Sequence, residues 1–156
     1  MKYLFILSFA LVFAFFGLEL GYTTHSAWHT HITYMFQHAN LFHLVLNSMS
    51  FVVLWIALQK HLKQWLILPV FLIAVIASFL PFVAFSEPTV GISGAIYAML
   101  GVFIVYMPKN KNIILFLITL LIALGVSLVM HNSNFFIHLY CLVLGSMYGL
   151  GIKLIK

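Results

Sequence analysis

Three groups of polar residues interrupt an otherwise apolar sequence, and each carries a possible chemistry. The run G-I-S-G-A-I-Y-A-M-L-G over 91–101 offers a serine hydroxyl, Ser93, between Gly91 and Gly94. Glycines on both sides clear room for a substrate backbone. If a helix begins at the serine, its unbonded first-turn amides and positive end can hold a developing oxyanion. The plainer reading is a serine N-cap, and a G-x-S-G tetrapeptide alone is a weak signal. The run H-A-N-L-F-H-L-V-L-N over 38–47 offers His38, His43 and Asn47. His43 and Asn47, four apart, share a helix face, while His38 falls where the preceding segment turns into that helix. Taken alone, these residues are better explained by hydrogen bonding between helices. His138 is a candidate general base, or an ordinary hydrogen-bonded residue of a bundle. Gly94, Ala98 and Gly101, and likewise Cys141, Gly145 and Gly149, form small-residue stripes that let helices approach closely and need no catalytic explanation.

The elements that must position these residues follow from composition. Of 156 residues 65% are hydrophobic and 6% charged, and the mean hydropathy is +1.18. Such a chain cannot cover a water-facing globule, which excludes soluble enzymes, secreted modules and nucleic-acid binders. Uncharged stretches of spanning length lie at about 3–18, 43–59, 65–86, 89–108, 112–130 and 135–152, each near the ~20 residues that cross a bilayer as helix. No alternation typical of a barrel strand occurs, so the expected fold is an all-α membrane protein, a bundle of six transmembrane helices forming one domain over 1–156. The seven cations are all lysine: Lys2, Lys60, Lys63, Lys109, Lys111, Lys153 and Lys156. In the six-span reading they fall on one side, which the positive-inside rule makes cytoplasmic together with both termini. Glu19 and Glu87 fall on the other. Span one is expected to remain uncleaved, since no A-x-A pattern precedes Trp28. The segment from Gly21 to about Asn40 mixes Trp28, Ile32, Tyr34, Met35 and Phe36 with His25, His29 and His31, as an amphipathic stretch in the membrane interface would. The single cysteine, Cys141, permits neither an intrachain disulfide nor a thiolate metal cage.

Joint placement changes the weight of the polar groups. Spans two, four and six run in the same direction, and His43 with Asn47, Ser93 and His138 all lie near their outer ends, at one depth. Together they supply nucleophile, base and oxyanion donors. The chain has no Asp, and neither Glu is in register with His138, so a Ser-His dyad fits better than a triad.

With these residues in place, the sequence resembles the rhomboid family of intramembrane serine proteases over all six spans. The family pattern H-x-x-x-x-H-x-x-x-N is met by His38, His43 and Asn47, the nucleophile motif G-x-S-G by Gly91, Ser93 and Gly94, and the base by His138. Tyr97 corresponds to the family tyrosine that stacks on the histidine, and Gly101 and Gly145 to the glycines that bring the fourth and sixth helices together. The resemblance implies attack by Ser93, proton transfer to His138, and an oxyanion held by the Ser93 amide, His43 and Asn47, with His38 a structural histidine. It implies no cofactor and no metal. It further implies single-pass transmembrane substrates that enter between spans two and five and are cut near the outer face. Membrane lipid is the only other partner expected, with no nucleic acid and no obligate protein partner, and the expected location is the bacterial cytoplasmic membrane. Two departures stand out. The Trp-Arg pair common in the family's first outer loop is absent, since His29 follows Trp28 and the chain has no arginine, so this loop must be anchored differently. Cys141 stands where the family usually has a glycine, which would widen the contact between spans four and six.

Two other readings compete. Eight histidines and the H-x-x-x-x-H spacing resemble the histidine boxes of membrane di-iron enzymes, but those cluster on the cytoplasmic side as H-x-x-H-H, whereas seven of these eight belong at or near the outer side. A non-catalytic rhomboid-like binder of membrane segments is the second, against which stand the intact dyad and oxyanion positions.

Overall fold

A computed structural model describes residues 19–107, 112–129 and 133–155. The expected first span, 3–18, lies outside these residues, as do Lys2, Lys109, Lys111 and Lys156. Among the described residues all regular structure is helical apart from one isolated antiparallel bridge, Tyr22 with Thr89. The α-helices are α1 (Thr30–Thr33), α2 (Leu41–Gln59), α3 (Pro69–Ser78), α4 (Ser93–Tyr106), α5 (Asn112–Val129) and α6 (Phe135–Ile155). Among the described residues, only α2 and α6 are long and apolar enough to cross a membrane by themselves.

Helix α2 shows how the sequence sorts its faces. Asn40, in extended conformation, caps it by accepting the His43 amide at 2.8 Å. Leu44, Asn47, Phe51, Leu54 and Leu58 are buried at helical spacing, while Phe42, Val45, Met49, Val53 and Ile56 on the other faces stay exposed. A helix apolar on both its packed and its open sides is suited to lipid rather than water.

The stretch 65–86, expected as one span, is helical only in its first part. A 3₁₀ turn, Gln64–Leu66, leads into α3, which begins with Pro69 at its first turn and stops at Ser78. Pro81 has no amide to donate and disfavours helical backbone at Leu80, and Phe82 follows with φ of 65°. Apolar composition marked the stretch, while proline decided its length. Helix α4 is likewise shorter than the expected 89–108. Gly91, with φ of 108°, cannot belong to a helix, and Met107, before a proline, turns extended.

Helix α4 is central. It packs most extensively on α6 and also on α2 and α3, whereas α5 lies against α6 much more thinly. The core runs through Phe51, Leu54 and Leu58 of α2, Val70, Ala74 and Ala77 of α3, Ala95, Ala98, Met99 and Val102 of α4, and Ile137 and Cys141 of α6.

The segment before α2 is amphipathic as expected. Trp28, Ile32 and Phe36 are exposed, and Tyr34 and Met35 are buried. Its anchoring involves no ion pair among the described residues. Tyr22 and Thr89 exchange backbone hydrogen bonds, Thr24 donates to Phe85 O, the Gln37 side chain accepts the Leu20 and Gly21 amides at 2.9 Å, and Tyr34 Oη donates to Ala74 O. His31 adds a side-chain tie, with Nδ1 3.0 Å from Ser78 Oγ and its ring stacked between Tyr22 and Phe79.

Candidate active site

The site is assembled where α4 and α6 come nearest. A methyl group added at Gly101 would collide with the Leu142 carbonyl and the Ser146 amide, and one at Gly145 with the backbone of Ala98, so the two helices touch main chain to main chain. That approach requires glycine. The buried Cys141 does not prop the helices apart, because its sulfur is accommodated beside Gly94, where an added methyl would lie 3.4 Å from Sγ and 3.0 Å from Tyr34 Oη.

Ser93 opens α4 and His138 lies four residues into α6, so the seam brings their side chains together. Ser93 Oγ and His138 Nε2 are 2.8 Å apart. The serine does not cap its helix: Ile92 is the N-cap residue and no side chain caps that end. Its hydroxyl is therefore committed to the histidine. Tyr97, one turn on, stacks on His138 with ring centroids 4.3 Å apart and planes 18° from parallel, and His138 is 6% exposed. A hydroxyl held on an imidazole in a nearly water-free place is the arrangement from which a serine can be deprotonated.

Helix α2 supplies a second wall. A methyl group at Gly91 would lie 2.9 Å from His43 Cε1, 3.1 Å from His43 Nε2 and 3.2 Å from Asn47 Nδ2, so both side chains reach the turn that carries Ser93. Gly91 is thus required twice, for its positive φ and for the space. The same turn is tied outward by the Gly91 amide, which donates to Tyr34 O at 2.9 Å. Asn47 Nδ2 is buried and has no hydrogen-bond partner among the described residues, leaving a donor beside the serine. His38, outside the helix, meets His43 edge to face at 5.3 Å. Burial, and next to it His43, pushes the His38 pKa down to about 4 against an opposing backbone hydrogen bond at Phe36.

All eight residues singled out from sequence, Ser93, His138, Asn47, His43, His38, Tyr97, Gly91 and Gly94, therefore lie in or against one site. Glu19 and Glu87 are exposed. Among the described residues no three His, Cys, Asp or Glu side chains gather as a metal site would need. Sequence reading missed two serines. Ser127 Oγ lies 2.7 Å from His138 Nδ1, and Ser133 Oγ lies 2.7 Å from Ser127 Oγ. The available signal was Ser127 itself, a hydroxyl in the apolar run L-G-V-S-L-V. Also missed was Asn134. Its Nδ2 donates to Val83 O at 2.6 Å, Thr89 Oγ1 at 2.9 Å and Tyr22 Oη at 3.3 Å, while its Oδ1 accepts the Ile137 amide and caps α6.

A family model described as the rhomboid domain matches residues 24–154, which takes in every side chain of this site. No curated protein matches the chain significantly.

Proposed function

The chain belongs to the rhomboid family of integral membrane proteins, whose members are generally intramembrane serine proteases, and from that premise we propose that it is an intramembrane serine endopeptidase working through a dyad of Ser93 and His138. The observation that carries the reading is the 2.8 Å contact between Ser93 Oγ and His138 Nε2. Ser93 Oγ attacks the scissile carbonyl carbon while His138 Nε2 takes its proton. The oxyanion is held by the Ser93 amide at the start of α4 with the side chains of Asn47 and His43. His138 then gives the proton to the leaving amine. In the second half it draws a proton from the water that attacks the acyl-serine and returns it to Ser93 Oγ as the ester bond breaks, which frees the acid product and restores the enzyme. Tyr97 holds the imidazole plane, Gly91 admits the side chains of His43 and Asn47 to the turn that carries Ser93, Gly94 lets the start of α4 pack against Tyr34 and Cys141, and His38 braces His43.

The substrates are single-pass transmembrane proteins with a helix-weakening stretch of small residues near the outer face, entering between α2 and α5. The chain spans the bacterial cytoplasmic membrane six times with both termini inside. No cofactor is used.

Labelling the detergent-solubilised protein with a serine-reactive fluorophosphonate tests the proposal. The wild type should be labelled in the presence of EDTA, and Ser93→Ala and His138→Ala should both lose labelling and cleavage of a model transmembrane substrate. Undiminished cleavage by a folded Ser93→Ala protein would refute the nucleophile. Cleavage that EDTA abolished and iron restored would point to the histidine-box alternative, and a folded wild type that neither labels nor cleaves would point to a non-catalytic binder.

A further inference from the structure

One ring nitrogen of His138 serves Ser93, and the other is met by a residue that neither the G-x-S-G run nor the H-x-x-x-x-H run contains. His138 Nδ1 lies 2.7 Å from Ser127 Oγ on α5, and that hydroxyl lies 2.7 Å from Ser133 Oγ. Ser127 is 5% exposed, so its bond with His138 is shielded from competing solvent. The described carboxylates, Glu19 and Glu87, are exposed and make no contact with the ring.

We propose that Ser127 is a positioning residue for His138, a neutral hydroxyl in the place where serine hydrolases usually put a carboxylate, with Ser133 completing the chain. The inference rests on the dyad reading above. For Nε2 to receive the Ser93 proton it must carry a lone pair, so the neutral ring must carry its hydrogen on Nδ1. The Ser127 oxygen accepts that hydrogen, and its own hydroxyl donates onward to Ser133 Oγ. Tyr97 fixes the plane of the imidazole, but a stacked ring can still turn over within that plane and exchange its two edges. The bond to Ser127 removes that freedom, because the opposite ring edge presents a carbon to the hydroxyl. Ser127 gains no proton at any step. When His138 becomes imidazolium, Nδ1–H goes on donating to the same oxygen, and the transferred proton stays on Nε2 until the leaving amine takes it.

A neutral acceptor contributes less than a carboxylate, so its removal should slow the reaction without stopping it. Loss of one buried hydrogen bond to the ring corresponds to about tenfold to hundredfold in kcat. The measurements are kcat and KM on a model transmembrane substrate, with ¹⁵N NMR of the His138 ring, for wild type, Ser93→Ala, Ser127→Ala, Ser127→Thr and Ser127→Cys. Ser127→Ala should lower kcat by that factor, leave KM within about twofold, and replace the fixed Nδ1–H tautomer signature by an averaged one. Ser127→Thr, which keeps the hydroxyl, should recover kcat to within about threefold of wild type. Ser127→Cys, nearly the same size with a weaker hydrogen-bonding atom, should fall between, and it carries the test if Ser127→Ala does not fold. An unchanged kcat in Ser127→Ala or Ser127→Cys, an unchanged tautomer signature, or equal losses in the threonine and alanine variants would overturn the positioning role. If Ser93→Ala still cleaves, the dyad itself has failed. If Ser93→Ala is dead while Ser127→Ala works at the wild-type rate, only the role of Ser127 has failed.

Discussion

The seam between α4 and α6 and the flank formed by α5 are built on opposite plans. In the seam, Gly101 and Gly145 have been stripped of side chains so that main chain meets main chain, and residues around it such as Ala98, Met99 and Cys141 are fully buried. Among the described side chains of α5 only Leu120, Leu124 and Ser127 are buried, Gly125 has open space where a methyl group would go, and Ile114, Leu115, Leu121 and Leu128 stay exposed. Both carry a residue that touches His138. The seam sets the distance between Ser93 and His138, where a small error in position is costly. The flank contributes one hydrogen bond and otherwise rests lightly on the bundle.

The strongest way to break this contrast is Gly145→Val. Its side chain would have to displace the Ala98 backbone, so both helices must part, and neither a cooperative thermal transition nor substrate cleavage should be detectable. Normal thermal stability of that variant would show that the seam is not rigid. Next in size is Asn47→Ala, which deletes the free donor that α2 presents at Gly91. A folded protein whose kcat is lower by roughly 10² to 10³ is expected, as for loss of one oxyanion donor. An unchanged kcat would remove Asn47 from the chemistry.

A smaller effect is expected on acidification. Folding depresses the pKa of His38 to about 4 from the ordinary 6.5, so the unfolded chain binds its proton first as pH falls. His38 therefore contributes full stability above about pH 6.5, and the contribution is lost as pH drops from there through 4. Melting temperatures should decline over that window, and His38→Gln should flatten the decline. An equally steep decline in the variant would assign it elsewhere. The smallest effect belongs to Gly125→Ala, where the added methyl meets nothing and helix propensity shifts by up to about 1 kcal/mol. A large loss of stability there would mean that α5 is as closely packed as the seam.

Which parts of the molecule were legible in the sequence follows from what each depends on. The meeting of Ser93, His138, Asn47 and His43 could be read because it needs only helices of known direction, a shared depth, and small residues where the helices touch. The stack of Tyr97 on His138 follows from one helical turn. The extent of the third apolar stretch could not be read from hydropathy, because Pro81 and the left-handed Phe82, not composition, end α3 ten residues after it starts. Ser127 was missed for a different reason. Isolated serines are common in apolar helices, where they bond back to their own chain as Ser146 does to Leu142 O, and only the packing of α5 on α6 distinguishes one that reaches a histidine. Asn134 likewise has no flanking pattern to mark it.

Asn134 joins places far apart along the chain: its side chain binds Tyr22, 112 residues earlier, Val83, 51 earlier, and Thr89, 45 earlier, while capping its own helix. Local helix formation cannot create such a knot. Each contact closes a long loop and can contribute only after the intervening helices have assembled, so this end of the bundle closes late in folding. Weakening the knot with Asn134→Ala should therefore speed unfolding several-fold and leave the refolding rate nearly untouched, and an equal loss on the folding side would place the knot early instead. The end of the bundle that carries Ser93 and His138 would then be the last part of the molecule to become native and the first to open.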